Sequence, residues 1–182
     1  MDTRTARVLR GAAAALVFAT AAYHLWWGLP RSLIYLQAIE SLTGRGLPPD
    51  PRPFLFVAMA ALLFTGPYLV TRRVIGLRDA YIAGTVVLLA SIAAWVFWHT
   101  TGHGAIFVDG FSAPSAGGGG HSHDTGTIAL VLDHFVVEPV EGVIKIIEMS
   151  AIAIFVTLLW KDPAIIPDER QARAETNEGT ES

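Results

Sequence analysis

The sequence predicts an all-α protein, an integral membrane four-helix bundle with a long His/Gly-rich loop on its outer side. Three observations carry that expectation. The 182-residue chain is 52% hydrophobic and 16% charged, with a mean hydropathy of +0.46, too apolar for an ordinary soluble domain. Four apolar runs are each long enough to cross about 30 Å of hydrocarbon as a helix. The connector before the last run gathers histidines and carries no Lys or Arg.

The first span is expected over about 11–30. A short basic segment precedes it (Arg4, Arg7, Arg10), and Tyr23, Trp26 and Trp27 sit near its far end, where an aromatic belt belongs. A cleaved signal peptide is the rival reading, with a cut near Ala19-Thr20-Ala21. A retained span is favoured, because the apolar run continues past that point. Residues 31–52 form a connector. Within it, 32–42 is weakly amphipathic and reads as a short surface helix, and 47–53 (LPPDPRP) is too proline-rich for regular helix. The second span is expected over 54–70, kinked at Gly66-Pro67 and closed by Arg72, Arg73 and Arg78. The third runs over 80–98 and ends in Trp95, Phe97 and Trp98. An outer loop follows over about 99–127, with a flexible run of glycines at 117–120. The fourth span is expected over about 140–160, with 146–160 its most apolar part. Residues 163–182 read as a polar, disordered tail.

Positive charge sets the expected orientation. The N-terminus, the second connector and the C-terminal tail carry three Lys or Arg each; the first connector carries three and the third none. That asymmetry puts both termini in the cytoplasm of a multi-pass cell-membrane protein, and all six histidines on the outer side. The net charge of −3 gives no reason to expect a nucleic-acid partner. With no Cys, disulfides, thiolate zinc sites and iron–sulfur clusters are excluded. Only Lys145 and Lys161 are lysines, an arginine bias that with the acidic tail is common in salt-loving organisms.

Three constellations carry chemistry. His99 and His103 are spaced i,i+4, so one more turn of the third helix puts both imidazoles on one face, where they can chelate Zn or Cu. His121, His123 and Asp124 follow the glycines as a weaker collector of divalent metal. His134, Glu138, Glu141, Lys145 and Glu148 fall within an arc of about 80° on one helix face. Lipid penalises such a ridge, so it is expected to face the bundle interior or a wet cleft. A structural account competes: Pro139 opens the helix, Glu138 and Glu141 are ordinary first-turn acids, and Lys145 neutralises its neighbours. The functional account joins His134 and the carboxylates to His24 and to His99 or His103 in one metal or proton site.

The segment His24-Leu25-Trp26-Trp27-Gly28 resembles a His-Leu-aromatic-x-Gly feature of small, uncharacterised four-span haloarchaeal membrane proteins, loosely similar to the DoxX-like group. The Arg72-Arg73 turn, Trp95 late in the third span and Asp133-His134 before the last helix also fit. The resemblance spans about 16–159 and leaves out the His-rich glycine loop. It implies architecture and source, and no activity.

The expected function is therefore a multi-pass membrane protein that binds a divalent metal, Cu or Zn, through outward-facing histidines. The alternative is a non-catalytic structural or regulatory subunit whose polar ridge docks on a membrane-protein partner. A redox subunit is the third reading. Haem ranks lowest, because His24 and His99 sit near the interface. No nucleotide-binding or proteolytic motif is present, and binding is favoured over catalysis.

Overall fold

A computed structural model describes residues 1–37, 50–100, 129, 132, 133, 135 and 137–165. The described residues are all-α, with four helices each long and apolar enough to cross a membrane: α1 (Thr3–Gln37), α2 (Arg52–Thr71), α3 (Leu77–Thr100) and α4 (Pro139–Lys161). Each packs on the next and α4 returns to α1, so the helices close a ring. Neighbours run antiparallel, as the pairing of Gly28 with Pro53, Tyr81 with Asp162 and His24 with Glu148 requires.

Local chemistry fixes the helix ends. Asp2 accepts the Thr5 backbone N–H at 2.8 Å and the Thr5 hydroxyl at 2.7 Å, a side-chain cap that starts α1. Those hydrogen bonds hold the Asp2 carboxyl below its usual range. α2 and α4 carry proline in their first turns, where the missing N–H costs nothing. α2 ends in a paired-carbonyl cap: Arg73 N–H reaches Val70 O at 3.0 Å, and Val74 N–H reaches Leu69 O at 2.9 Å. Arg73 takes the left-handed backbone this needs, at φ 57°.

Several boundaries differ from the sequence expectation. α1 runs unbroken through Pro30 to Gln37, so residues 32–37 continue the first helix and do not begin a separate one. Arg31, read as the start of a connector, lies back along the helix. Its guanidinium donates to Trp27 O at 2.9 Å and sits 4.1 Å from the Trp27 ring centre. α2 passes through Gly66-Pro67 as one helix. α3 runs two residues further than expected, to Thr100, which places His99 inside the helix, buried, and not in the loop. Residues 101–128 and 166–182, which include most of the expected outer loop and tail, lie outside the described residues. Ala19-Thr20-Ala21 sits mid-helix, with Thr20 and Ala21 fully buried against the bundle.

Small side chains let the helices approach. Ala21, Ala60 and Ala151 meet Val17, Leu63 and Leu88 at the centre. At Gly28 a Cβ would stand 2.8 Å from Pro53 O and 2.9 Å from Phe56 Cβ. Backbone cannot yield there as a flexible side chain can, so Gly28→Leu is expected to cost about 1–3 kcal/mol by prising α2 from α1. Unfolding in detergent by added SDS reads the loss. Contact is closest between α1 and α2 and sparsest between α2 and α3.

One end of the ring is clasped by Asp162, which follows α4 and is fully buried. Arg10 of α1 donates two hydrogen bonds to it, at 2.7 and 2.9 Å, and the Tyr81 hydroxyl of α3 donates a third at 2.8 Å. The Ala164 N–H adds a fourth at 3.0 Å.

Candidate functional site

At the other end and in the middle of the bundle, the α4 ridge turns inward. Lys145 and Glu148 are buried, Glu141 is half-buried and Glu138 is exposed. The described residues resolve into two clusters, one around Glu141 and one around Glu148. These glutamates are seven residues apart on α4, about 10 Å at helical rise.

The deeper cluster draws four polar side chains from three helices, two of them from α4. Glu148 Oε2 accepts a hydrogen bond from Lys145 Nζ at 2.7 Å. Ser91 of α3 donates from Oγ to Glu148 Oε1 at 3.1 Å and accepts one from Lys145 Nζ at 2.9 Å. His24 of α1 brings Nε2 to 3.7 Å from Glu148 Oε1, and its Nδ1 lies 2.8 Å from Thr20 O. A carbonyl accepts, so Nδ1 carries a hydrogen and Nε2 is the ring nitrogen turned toward Glu148. His24 and Glu148 are each at most 1% exposed, and Phe56 of α2 stacks edge-on at 4.6 Å to hold the imidazole.

The shallower cluster joins the end of α3 to the start of α4. The described groups His99, Glu138 and Glu141 each offer a donor atom, all within 4.8 Å of one another. His99 Nε2 stands 4.0 Å from Glu141 Oε2, which also accepts Trp95 Nε1–H at 2.9 Å. His99 Nδ1 is 2.8 Å from Trp95 O, so again Nε2 faces the carboxylates. Fixing the second ring nitrogen in this way is how metal-binding imidazoles are usually oriented. Donors about 2.0–2.2 Å from a zinc ion lie roughly 3.4 Å apart, so modest side-chain rotation closes the set.

A cavity of about 400 Å³ connects the clusters. His24, Ser91 and Lys145 line its deep wall, and Glu141, His99 and Trp95 its shallow one. Arg52 of α2 lies beside it, 4.0 Å from the Trp98 ring centre and 5.5 Å from that of Trp27, with its guanidinium forked onto Asp50. A second cavity of the same volume, lined almost wholly by apolar groups, continues toward Arg10 and Tyr81; the two share Leu62 and Val87.

Among the described residues, the candidate side chains fall into two groups. The structure brings His24 to Glu148 and His99 to Glu138 and Glu141, while His24 and His99 address different glutamates. His103, His121, His123, Asp124 and His134 lie outside the described residues. Sequence reasoning missed Ser91, Trp95 as a hydrogen-bond donor, and Arg52. Ser91 left a faint trace, as a hydroxyl in the middle of an apolar span. No protein-family model, curated protein or solved structure matches the chain.

Proposed function

We propose that the chain is a multi-pass integral membrane protein, both termini cytoplasmic, that binds a divalent cation at its outward end through His99, Glu138 and Glu141. The observation that carries this is the convergence of one imidazole nitrogen and two carboxylates from two helices. The orientation rests on the Lys and Arg distribution, which gives the N-terminus, the α2–α3 turn and the C-terminal tail the larger positive share. Large apolar side chains such as Phe18, Val86, Leu89 and Ile146 face outward, as lipid contact requires. A donor set of nitrogen and oxygen without sulfur suits Zn²⁺, with Cu²⁺ second, and gives no preference for Cu⁺.

Protein purified in detergent and mildly dialysed is expected to retain about one zinc per chain by elemental analysis. Glu141→Gln and His99→Ala should each weaken binding by at least 10-fold, the scale of losing one ligand or its orientation. A wild-type preparation free of Zn and Cu would end the reading.

Docking on a membrane partner remains the alternative. It now rests on Glu138 and Glu141 and on the outward apolar faces, because Lys145 and Glu148 point into the bundle.

A further inference from the structure

The deeper cluster serves no purpose in the outer site. Four polar side chains, from α1, α3 and α4, meet where an apolar core would be the cheaper solution. Their arrangement is that of a cation site with its cation in place. The Lys145 ammonium sits 2.7 Å from a carboxylate oxygen and 2.9 Å from a hydroxyl oxygen. His24 Nε2, almost fully buried, faces the same carboxylate across 3.7 Å, too far for a hydrogen bond. The ring is held by Thr20 O in the orientation of a metal-binding imidazole, with Nε2 left for a ligand, and no hydrogen bond joins it to the ammonium arrangement.

We infer that His24, Ser91 and Glu148 form a second, latent cation site, filled by the chain's own Lys145 at the deep end of the cavity below His99, Glu138 and Glu141. The ligand class is a divalent first-row cation that accepts an imidazole, a carboxylate and a hydroxyl. Lys145 lies on the same face of α4 as Glu141, one turn away at i−4, and Glu148, at i+3. A swing of the lysine toward Glu141 vacates the deep site, and its return expels the occupant. A tethered ammonium of this kind makes inward passage of a cation dependent on lysine displacement. That passage rests on the outer-site reading; the deep site itself does not.

The test is zinc stoichiometry of the full chain in detergent. Lys145→Met is expected to bind one zinc equivalent more than wild type. Adding His24→Gln should remove the extra equivalent, and adding Glu141→Gln should leave it. A wild type without zinc would sink the outer site alone, and the extra equivalent in Lys145→Met would still report the deep one. A folded Lys145→Met that binds no more zinc than wild type overturns the inference. Should that variant aggregate, zinc in the purification buffer is expected to restore a monodisperse protein, since the metal replaces the missing charge. Aggregation that persists with zinc also overturns it. Lys145→Gln provides a milder check: its amide keeps a hydrogen bond to Glu148 and yields to the metal.

Discussion

Glu148→Ala is expected to destabilise the bundle by about 3–5 kcal/mol, because the buried Lys145 ammonium loses its carboxylate and can regain one at Glu141 only by giving up its bond to Ser91. The size of the effect comes from the uncompensated charge, not from the strength of the pair. Removing both charges separates the two. Lys145→Met with Glu148→Leu should fall within about 1 kcal/mol of wild type or exceed it, since a well-packed apolar pair avoids the desolvation of both ions. SDS unfolding of the single and double variants measures both quantities. Equal losses in single and double variants would mean that packing, not charge, holds this level of the bundle.

Asp162→Ala is expected to cost about 3 kcal/mol at neutral pH, since it leaves Arg10 and the Tyr81 hydroxyl without their shared acceptor. The loss should depend on pH. Burial pushes the Asp162 carboxyl up, but hydrogen bonds from Arg10, the Ala164 N–H and Tyr81 outweigh it and hold the group below its ordinary value of 3.8. A depressed carboxylate contributes its full stability above the unfolded value and loses it as pH falls through the folded one. The gap between wild type and Asp162→Asn should therefore be constant from about pH 5 to 8 and narrow only below about pH 4. A gap that closed near neutrality would assign the clasp to some other group.

The apolar spans were legible because run length is a local property. The face of α4 was legible too, since its 4, 3, 4, 3 spacing is written in one helix. What that face meets was not. Ser91 and Trp95 look like an ordinary hydroxyl and an ordinary belt tryptophan until α3 is set against α4. Asp162 passes unnoticed between the last span and the polar tail, because its partner Arg10 lies 152 positions away. The first span was cut short for a different reason. Pro30 and Arg31 are local stop signals, yet a proline removes only one donor, and neighbouring contacts with α2 outweigh it. Histidine counting also ignores depth: among the described residues, His24 and His99 stand at the levels of different glutamates.

The uneven ring has a mechanical consequence. α2 and α3 are consecutive in sequence and joined by a tight turn, yet theirs is the seam with the least contact, and both cavities open along it. The opposite seam, α1 against α4, holds the His24–Glu148 approach and the Arg10–Asp162 clasp. The molecule is therefore stiff along one edge and compliant along the other, like a book whose spine is α1–α4. At the His99 end, Arg52 of α2 against the Trp98 ring of α3 is the contact that bridges that compliant seam. Opening the groove beside Trp95 and Trp98 therefore has to part Arg52 from Trp98, while the charges along the spine stay paired.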